Sequence, residues 1–449
     1  MARSLLPWLR TNLARGSRSH RRFSTTAPTF VKNLQVSESR LWESIQKTCE
    51  IAGARDGGLC RLSLDDNDKI ARDWFAEEAK QMGCRHTVDT VGTQWVTLDG
   101  ENNDVPPIAI GSHLDTVSTG GKFDGCLGVL AGLEVLRVLH ASGYKTFAPI
   151  TAINWTNEEA NRFLMACSGS SVWSGETALD AALRVPDVSQ PSITFGNELK
   201  RIGYNGTAEA SYRARPLSAH FELHVEQGRR LEQAGKEVGV VYASRGMRYY
   251  QVALRGALGH VSMRIDRKDA LVGAASIILE IERIGRATEG TTTTTMFSMT
   301  PQDIATIPNA TNFTFGTQYS NASIHQEVED HLIGFIEKAA ADRGLEVTVD
   351  HIAKFDSTVF DETLVSCVEQ SAKDMGYNYL RMESHALHDS MYIQKVCPSA
   401  MIFTPSRDGI SHSPLEYSSP ENCKVGAQTV LGAVLEYDAV LRAKYSKRR

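Results

Sequence analysis

One glycine-rich segment constrains the fold of this chain more than any other. Residues 111–125 read GSHLDTVSTGGKFDG, and the apolar run at residues 105–110 before them predicts a buried strand. The leucine-rich run that follows has helical spacing. This order of strand, loop and helix places His113, Asp115 and Asp124 at the carboxyl end of the strand. In open α/β sheets, ligands bind at that edge.

The residue types in this segment suit a metal ion. Imidazole nitrogen and carboxylate oxygen are borderline and hard ligands, which bind zinc, manganese and similar ions. The segment therefore predicts a metal site in the loop after the strand.

Size and composition exclude several classes of protein. A chain of 449 residues is long enough for two sizeable domains. The net charge is −5, and the only basic cluster after residue 32 is the tail 447–449, so neither nucleic acid nor a membrane surface is indicated as a partner. No apolar run approaches the roughly 20 residues needed to span a bilayer. The eight cysteines form no Cys-x-x-Cys pair, which argues against a thiolate zinc site and against a secreted disulfide framework.

The first 32 residues differ in kind from the rest. They hold six arginines, many serines and threonines, and apolar residues at helical spacing, and no acidic residue occurs before Glu38. This composition is typical of a mitochondrial transit peptide, with an unstructured basic tail as the alternative. The sequence RRFS at 21–24 resembles a matrix processing site with cleavage after Phe23. We therefore expect a protein of the mitochondrial matrix and exclude residues 1–32 from the fold.

A second apolar run at residues 147–155 ends in the polar sequence TNEEAN. Strand, helix, strand and loop in succession indicate a doubly wound sheet. Glu158 and Glu159 then share the edge at which His113 lies. A solvated turn would explain a lone pair of glutamates, but it would not explain the shared edge.

Two further histidines follow predicted strands. The sequence FELHVEQG at 221–228 alternates like a strand and presents His224 and Glu226 on one face, although a lone strand histidine also fits a structural role. His412 lies in GISHSP, which follows a buried strand at residues 399–404.

Between these segments the pattern changes. Residues 242–359 read as strand, helix, two strands, helix and strand, which is typical of a small α+β domain. We therefore predict an α/β protein with a large doubly wound domain, residues 33–241 and 360–449, that carries this smaller domain as an insertion.

Each candidate ligand is weak evidence alone. Together they predict two adjacent metal sites that share a bridging carboxylate, with water between the ions. Glu158 lies next to a ligand without being needed as one, so it is placed to take a proton from that water. The candidate ligands are His113, Asp124, Glu159, His224 and His412.

The motifs resemble those of the metal-dependent amidohydrolases of the M20 superfamily, in the hydantoinase/carbamoylase branch. That branch includes N-carbamoyl-L-amino-acid hydrolases, β-ureidopropionase of the yeast type and allantoate amidohydrolases. His224 and Gln227 favour this branch over the M20 peptidases, which usually carry an acid at the equivalent ligand position. The resemblance covers about residues 40–445, and its motifs are GSHLDTV at 111, GGKFDG at 120, NEE at 157, ELHVEQG at 222 and GISHSP at 409.

The resemblance implies two divalent ions, zinc or manganese, with cobalt or nickel as alternatives. It assigns His113, Asp124 and His224 to one ion, and Asp124, Glu159 and His412 to the other, with Asp124 bridging.

The resemblance also implies roles for residues around the ions. Asp115 would accept a hydrogen bond from the imidazole of His113, and Glu158 would act as general base and then protonate the leaving nitrogen. Gln227 and His388 match positions that contact the substrate. The inserted domain would act as a lid and form a homodimer, and its His260 matches a histidine that stabilises the oxyanion.

The chain departs from the family where the substrate carboxylate is bound. The family asparagine is replaced by Ala305 and the family arginine by Gln318, which cannot form a charged, two-pronged clamp. The loop after His260 is two residues shorter, and the family sequence GAGHDA reads HALHDS at 385–390. Charged hydrogen bonds contribute about 1.5–3 kcal/mol each, so we expect ordinary N-carbamoyl amino acids to be poor substrates.

The leading hypothesis is a mitochondrial binuclear-metal hydrolase that acts on a small linear amide or ureide. The alternatives are a catalytically retired protein that keeps the metal-stabilised fold for binding, and an M20 peptidase or aminoacylase. Retention of Glu158 beside a full ligand set argues against retirement, because a purely structural metal site needs no general base.

Overall fold

The structure is a computed structural model that describes residues 34–51 and 57–447. The predicted transit peptide lies outside the described residues. The described chain divides into two compact units, one of residues 245–358 and one of residues 34–244 with 359–447. Among the described helices, none is long and apolar enough to cross a bilayer.

The elements are numbered along the chain. The strands are β1 (Arg85–Val88), β2 (Gln94–Leu98), β3 (Ile108–His113), β4 (Ile150–Trp155), β5 (Ala219–Val225), β6 (Val238–Ser244), β7 (Gly246–Arg255), β8 (Gly259–His260), β9 (Thr291–Thr300), β10 (Thr306–Ile307), β11 (Ala310–Tyr319), β12 (Glu346–Phe355), β13 (Thr358–Val359), β14 (Tyr379–Ser384) and β15 (Ser399–Thr404). The helices are α1 (Glu38–Ile51), α2 (Asp66–Gln81), α3 (Cys126–Ser142), α4 (Ser168–Ser174), α5 (Leu179–Leu183), α6 (Phe195–Ile202), α7 (Arg230–Ala234), α8 (Ala270–Ala287), α9 (Ala322–Ala341), α10 (Glu362–Asp374), α11 (Asp389–Ile393) and α12 (Pro420–Ser446).

One mixed sheet forms the centre of the larger unit. Its strand order is β1-β2-β4-β3-β5-β15-β6-β13, and β14 also pairs with β6. The four central strands, β4, β3, β5 and β15, run parallel. Their carboxyl ends therefore meet at one edge, which is where the candidate ligands occur in the sequence.

Helices cover both faces of this sheet. Ile108 and Ile110 of β3 belong to the cluster that holds the apolar residues of α3 and α12. Ala109, on the opposite face of the same strand, lies in a cluster with Trp173 of α4 and Ile393 of α11. Every residue of the four central strands is buried, which explains why β3, β4 and β15 read as continuous apolar runs, whereas β5 alternates because its buried residues include His220, Glu222 and His224. The α/β fold class is thus confirmed.

Two local predictions were wrong. The alternating pattern of residues 86–98 predicts a single strand, but β1 and β2 form an antiparallel hairpin in which the carboxylate of Asp89 accepts from the backbone nitrogens of Val91 and Thr93. The alternating pattern continues through the turn and hides it. The apolar spacing of residues 34–51 predicts a helix that begins at Leu34, but α1 begins at Glu38, and the side chain of Gln428 donates to the main-chain oxygen of Leu34.

The smaller unit is a four-stranded antiparallel sheet of order β12-β7-β11-β9, with β8 and β10 as a separate pair. Helices α8 and α9 pack on it around a core that includes Leu254, Ile277, Phe313 and Leu332. This is the α+β pattern expected of the inserted segment. Its sequence-based limits, 242 and 359, lie close to those of the compact unit.

Candidate metal centre

Two histidine rings are held with the same ring nitrogen available. His113 ends β3, and its Nδ1 lies 2.9 Å from the main-chain oxygen of Asp115. His224 lies in β5, and its Nδ1 is 2.9 Å from the main-chain oxygen of Val225. Because a carbonyl accepts from Nδ1 in each ring, Nε2 is left as the atom with a free lone pair.

Asp124 lies between these rings and a third histidine. Its Oδ1 is 2.9 Å from Nε2 of His224 and 3.8 Å from Nε2 of His113. Its Oδ2 is 3.2 Å from Nε2 of His412, which is itself 3.4 Å from Oε2 of Glu159. The two oxygens of one carboxylate therefore face two different groups of residues.

These residues form two clusters that could each hold an ion. His113, Asp124 and His224 make up one, and Asp124, Glu159 and His412 make up the other, with ligand atoms within 4.8 Å of one another in each. Imidazole nitrogen with carboxylate oxygen is a donor set that fits zinc or manganese. The five residues predicted from the sequence are thus brought together, in the predicted two groups, around the predicted bridging carboxylate.

Close approach of the backbone explains one glycine of the motif. Gly125 precedes α3 with a φ of +63°, and a Cβ atom there would collide with the ring of His113. Only glycine combines that φ with room for the imidazole, so the last glycine of the motif belongs to the site itself.

Glu158 is buried beside the first cluster. Its Oε2 lies 3.6 Å from Nε2 of His113, and the thiol of Cys167 lies 3.6 Å from its Oε1. Burial raises the pKa of Glu158 well above its ordinary value, and repulsion from Glu159 and Asp389 adds to the effect. A carboxyl group with a raised pKa is suited to take up a proton and return it.

Asp115 joins the two motifs by both its main chain and its side chain. The sequence predicts it as an acceptor for the imidazole of His113, and the accepting atom is its main-chain oxygen. Its carboxylate instead accepts from the backbone nitrogens of Glu158 and Glu159, each at 3.3 Å. It therefore fixes the loop that carries both glutamates.

The charges around Asp124 favour a cation. Burial opposes ionisation of Asp124, but the charge and hydrogen bonds of His224 and His412 lower its pKa well below the ordinary value. Burial alone would lower the pKa of His224, yet attraction to Asp124 raises it to about 9. Burial lowers the pKa of His113 to about 4, which keeps that imidazole neutral and able to bind a metal.

The two residues predicted to contact substrate lie in different surroundings. Gln227 lines a cavity of about 380 Å³, and its Nε2 is 3.1 Å from Oδ2 of Asp124. His388 is buried with its ring centroid 4.7 Å from that of His224, and its Nε2 is 2.9 Å from the hydroxyl of Ser384. Gln227 thus faces open space, whereas His388 packs against a candidate ligand.

His260 and Gln318 belong to the smaller unit. His260 is exposed in β8, and its Nδ1 lies 2.8 Å from the hydroxyl of Ser262. Gln318 lies in β11, opposite Met247 of β7. Their roles towards the substrate stay predictions.

Sequence reasoning missed Glu416. Its Oε1 accepts from the backbone nitrogens of Phe123 and Asp124 at 2.8 and 3.1 Å, and the hydroxyl of Ser411 lies 2.9 Å from its Oε2 and 2.7 Å from Oδ2 of Asp124. Burial raises the pKa of Glu416 to about 7, with repulsion from Asp124 as the next cause. The sequence offers one sign of its role, which is its position four residues after His412. Its contact with Asp124 cannot be read from the sequence, because the two residues are 292 positions apart.

Comparisons with known proteins agree with this geometry. The family model described as peptidase family M20/M25/M40 matches residues 109–436. The chain is 34% identical over 411 residues to an N-carbamoyl-L-amino-acid amidohydrolase of Rhizobium meliloti, covering 90% of this chain and 97% of the relative. It is 29% identical over 404 residues to the allantoate amidohydrolase of Bacillus subtilis, covering 89% and 97%. A crystal structure of a hydantoinase/carbamoylase family amidase from Burkholderia multivorans superposes with a TM-score of 0.85 at 37% identity, covering 90% of this chain and 99% of that one.

The chain therefore belongs to the M20 peptidase family, in its hydantoinase/carbamoylase branch, and it is a metal-dependent amidohydrolase acting on non-peptide C–N bonds. Proteins of this family are dinuclear metal enzymes, and the two clusters around Asp124 are the groups that fit two ions here. The resemblance inferred from the motifs is confirmed.

Proposed function

We propose that this protein is a binuclear-metal hydrolase of the mitochondrial matrix that cleaves the C–N bond of a small acyclic ureide or amide. The observation that carries the proposal is the placement of Asp124, whose two oxygens face separate histidine-containing clusters, with Glu158 buried beside one of them.

Each residue has a role that follows from its surroundings. His113, Asp124 and His224 would hold one divalent ion, and Asp124, Glu159 and His412 the other, with zinc or manganese as the ions, or cobalt or nickel. Two such ions supply a polarised carbonyl and a water of lowered pKa. Glu158 takes a proton from the attacking water and returns it to the leaving nitrogen, for which its raised pKa suits it.

The substrate is proposed to differ from that of the named relatives. Those relatives are called N-carbamoyl-L-amino-acid and allantoate amidohydrolases. In this chain Ala305 and Gln318 stand where the family carries the asparagine and arginine that bind a carboxylate. Ordinary N-carbamoyl amino acids should therefore bind poorly, because an amide cannot replace a charged two-pronged clamp.

The test is a kinetic panel with the protein lacking residues 1–32 and loaded with metal. N-carbamoyl-β-alanine, N-carbamoyl-L-amino acids, allantoate, neutral ureides and N-acyl amino acids are compared by release of ammonia or amine. We expect turnover of at least one ureide and a loss of about 10²–10⁴ in kcat for Glu158→Gln with its metal retained. Glu176→Gln, an exposed glutamate paired with Lys395, is the matched control and should keep full activity.

Two outcomes would contradict the proposal. A fully metallated protein that hydrolyses no ureide or amide would be a catalytically retired member of the family. Preference for N-acyl amino acids would indicate an aminoacylase or peptidase. Efficient turnover of ordinary N-carbamoyl amino acids would refute only the proposed substrate.

Location in the cell is proposed from residues 1–32, whose basic, acid-free composition is typical of a matrix-targeting segment. A reporter protein fused after this segment should enter mitochondria and lose the segment. When the arginines of the segment are replaced by glutamine, the reporter should stay outside.

A further inference from the structure

The cavity beside the metal centre contains a basic group that the mechanism does not use. Its lining includes Ser411 and His412 of the metal centre, and also Arg230 and His385. All of these residues belong to the larger unit. The cavity therefore offers a positive side chain close to the candidate metals without any contribution from position 318.

The guanidinium of Arg230 is fixed in position. Its Nε lies 3.2 Å from Oε1 of Glu226, its Nη2 donates to the main-chain oxygen of Glu383 at 2.6 Å, and its Nη1 lies 3.4 Å from Nε2 of His385. A guanidinium has five N–H donors, so three contacts leave two of them for a ligand. The Arg230 side chain is 37% exposed, which leaves it accessible to one.

Glu226 balances this charge without blocking it. Its side chain is buried, and its oxygens also accept from the backbone nitrogens of Arg230 and Leu231 at 3.0 and 2.8 Å. Glu226 also lines the cavity, and these bonds engage both of its carboxylate oxygens with the protein. Because a held guanidinium loses little freedom when it binds a planar anion, the arrangement suits a carboxylate.

We propose that Arg230, with His385 beside it, is the carboxylate-binding group of this cavity, and that the substrate is an acyclic ureide or amide carrying one carboxylate. The proposal rests on the proposed function for the reaction. The proposal assigns recognition of the substrate carboxylate to the larger unit. The position of Arg230 would then select substrates by the distance between their carboxylate and their scissile carbon.

The test compares Arg230→Met with Arg229→Met in the metal-loaded enzyme. Arg229 is the neighbouring, exposed arginine, paired with Glu232 and Asp408, and it does not line the cavity. The probes are 4-ureidobutyrate and 5-ureidopentanoate, each with its neutral primary amide, because the shorter ureido acids are the N-carbamoyl amino acids expected to bind poorly. We expect Arg230→Met to raise KM about 10–100-fold for the best acid of the series, with little change in kcat and no change for its amide. Arg229→Met should behave as wild type, and Arg230→Lys should recover part of the loss.

A binding measurement separates this proposal from the proposed function. Calorimetric titration of the same acids and amides into metal-loaded Glu158→Gln reports affinity without turnover. Suppose that no ureide is hydrolysed, but an acid binds Glu158→Gln more tightly than its amide does, and this advantage disappears when Arg230→Met is added. The proposed anion site is then supported, and the proposed function is refuted. The anion site is overturned if no acid binds better than its amide, if both arginine variants lose equally, or if amides lose as much as acids.

Discussion

Asp124 is the residue on which both candidate ion sites depend. Oδ1 faces His113 and His224. Oδ2 faces His412, whose ring in turn lies beside Glu159. A change to this carboxylate should therefore affect both sites, whereas a change to His412 should affect one.

Metal content tests this dependence. We expect about two ions per chain in the wild type, about one in His412→Ala and almost none in Asp124→Asn, because metal affinity follows the number and charge of the ligands. Elemental analysis after dialysis measures the content, and His140→Ala, an exposed histidine near the end of α3, is the control. Equal metal loss in both ligand variants would argue against two sites that share one carboxylate.

His325 in the smaller unit should make stability depend on pH. It is buried and lies 2.8 Å from the hydroxyl of Thr317, and burial lowers its pKa to about 4. The unfolded chain takes up a proton near pH 6.5, while the folded protein does so only near pH 4. The stabilising contribution is therefore complete above about pH 6.5 and is lost as the pH falls towards 4.

Replacement of His325 by glutamine should remove this dependence. Thermal unfolding of wild type and His325→Gln is compared between pH 4.5 and 8. Below pH 6.5, the difference in unfolding free energy between the two proteins should change with pH, with a slope that approaches that of one bound proton. His351→Gln, an exposed histidine of β12, provides the comparison. A constant difference between wild type and His325→Gln across this range would contradict the assignment.

At the scale of elements, the turn from the loop into α3 positions a ligand. Gly125 and Gly143 precede and follow α3 with φ angles of +63° and +67°. A Cβ at Gly125 would strike the His113 ring, whereas a Cβ at Gly143 meets nothing within 4 Å. Both positions have a positive φ, but Gly143 lies in the left-handed helical region with a ψ of 9°, whereas Gly125 lies outside that region with a ψ of −49° and is more strained for any other residue.

Alanine at each glycine separates the two effects. Gly143→Ala should lose about 1–2 kcal/mol of unfolding free energy from its left-handed conformation, and Gly125→Ala should lose more. Only Gly125→Ala should also displace His113, with loss of metal and a large drop in activity. Retention of full metal content by Gly125→Ala would show that the close approach has no role in the site.

At the scale of the whole molecule, we predict a homodimer formed through the smaller unit. In the part of the chain that the structure describes, β9 is an edge strand of its sheet, and Met296 and Phe297 on that strand are 79% and 46% exposed. Apolar side chains on an unpaired edge are a ready surface for a second copy.

Sedimentation equilibrium should show two chains per particle. Met296→Asp should weaken the association, because a charge is costly to bury at an apolar contact. Ile70→Asp in α2 of the larger unit, where Ile70 is 51% exposed, should leave it unchanged. A wild-type protein that stays monomeric at micromolar concentration would contradict the prediction.

The sequence by itself determined the class of fold and the residues that could bind metal. Buried apolar runs ended at His113 and just before Glu158, and parallel strands must bring such ends to one edge. That inference needed only local patterns, because strand ends and residue types can be read from neighbouring positions.

Only the tertiary structure decided which atoms meet. It placed Glu416 against Asp124 across 292 positions, assigned the His113 contact to the main chain of Asp115, and folded residues 85–98 into a hairpin. It also brought Arg230 and His385 to one cavity. The physical reason is that hydrogen bonds act over about 3 Å between groups that packing brings together, and packing depends on the whole chain rather than on any one segment.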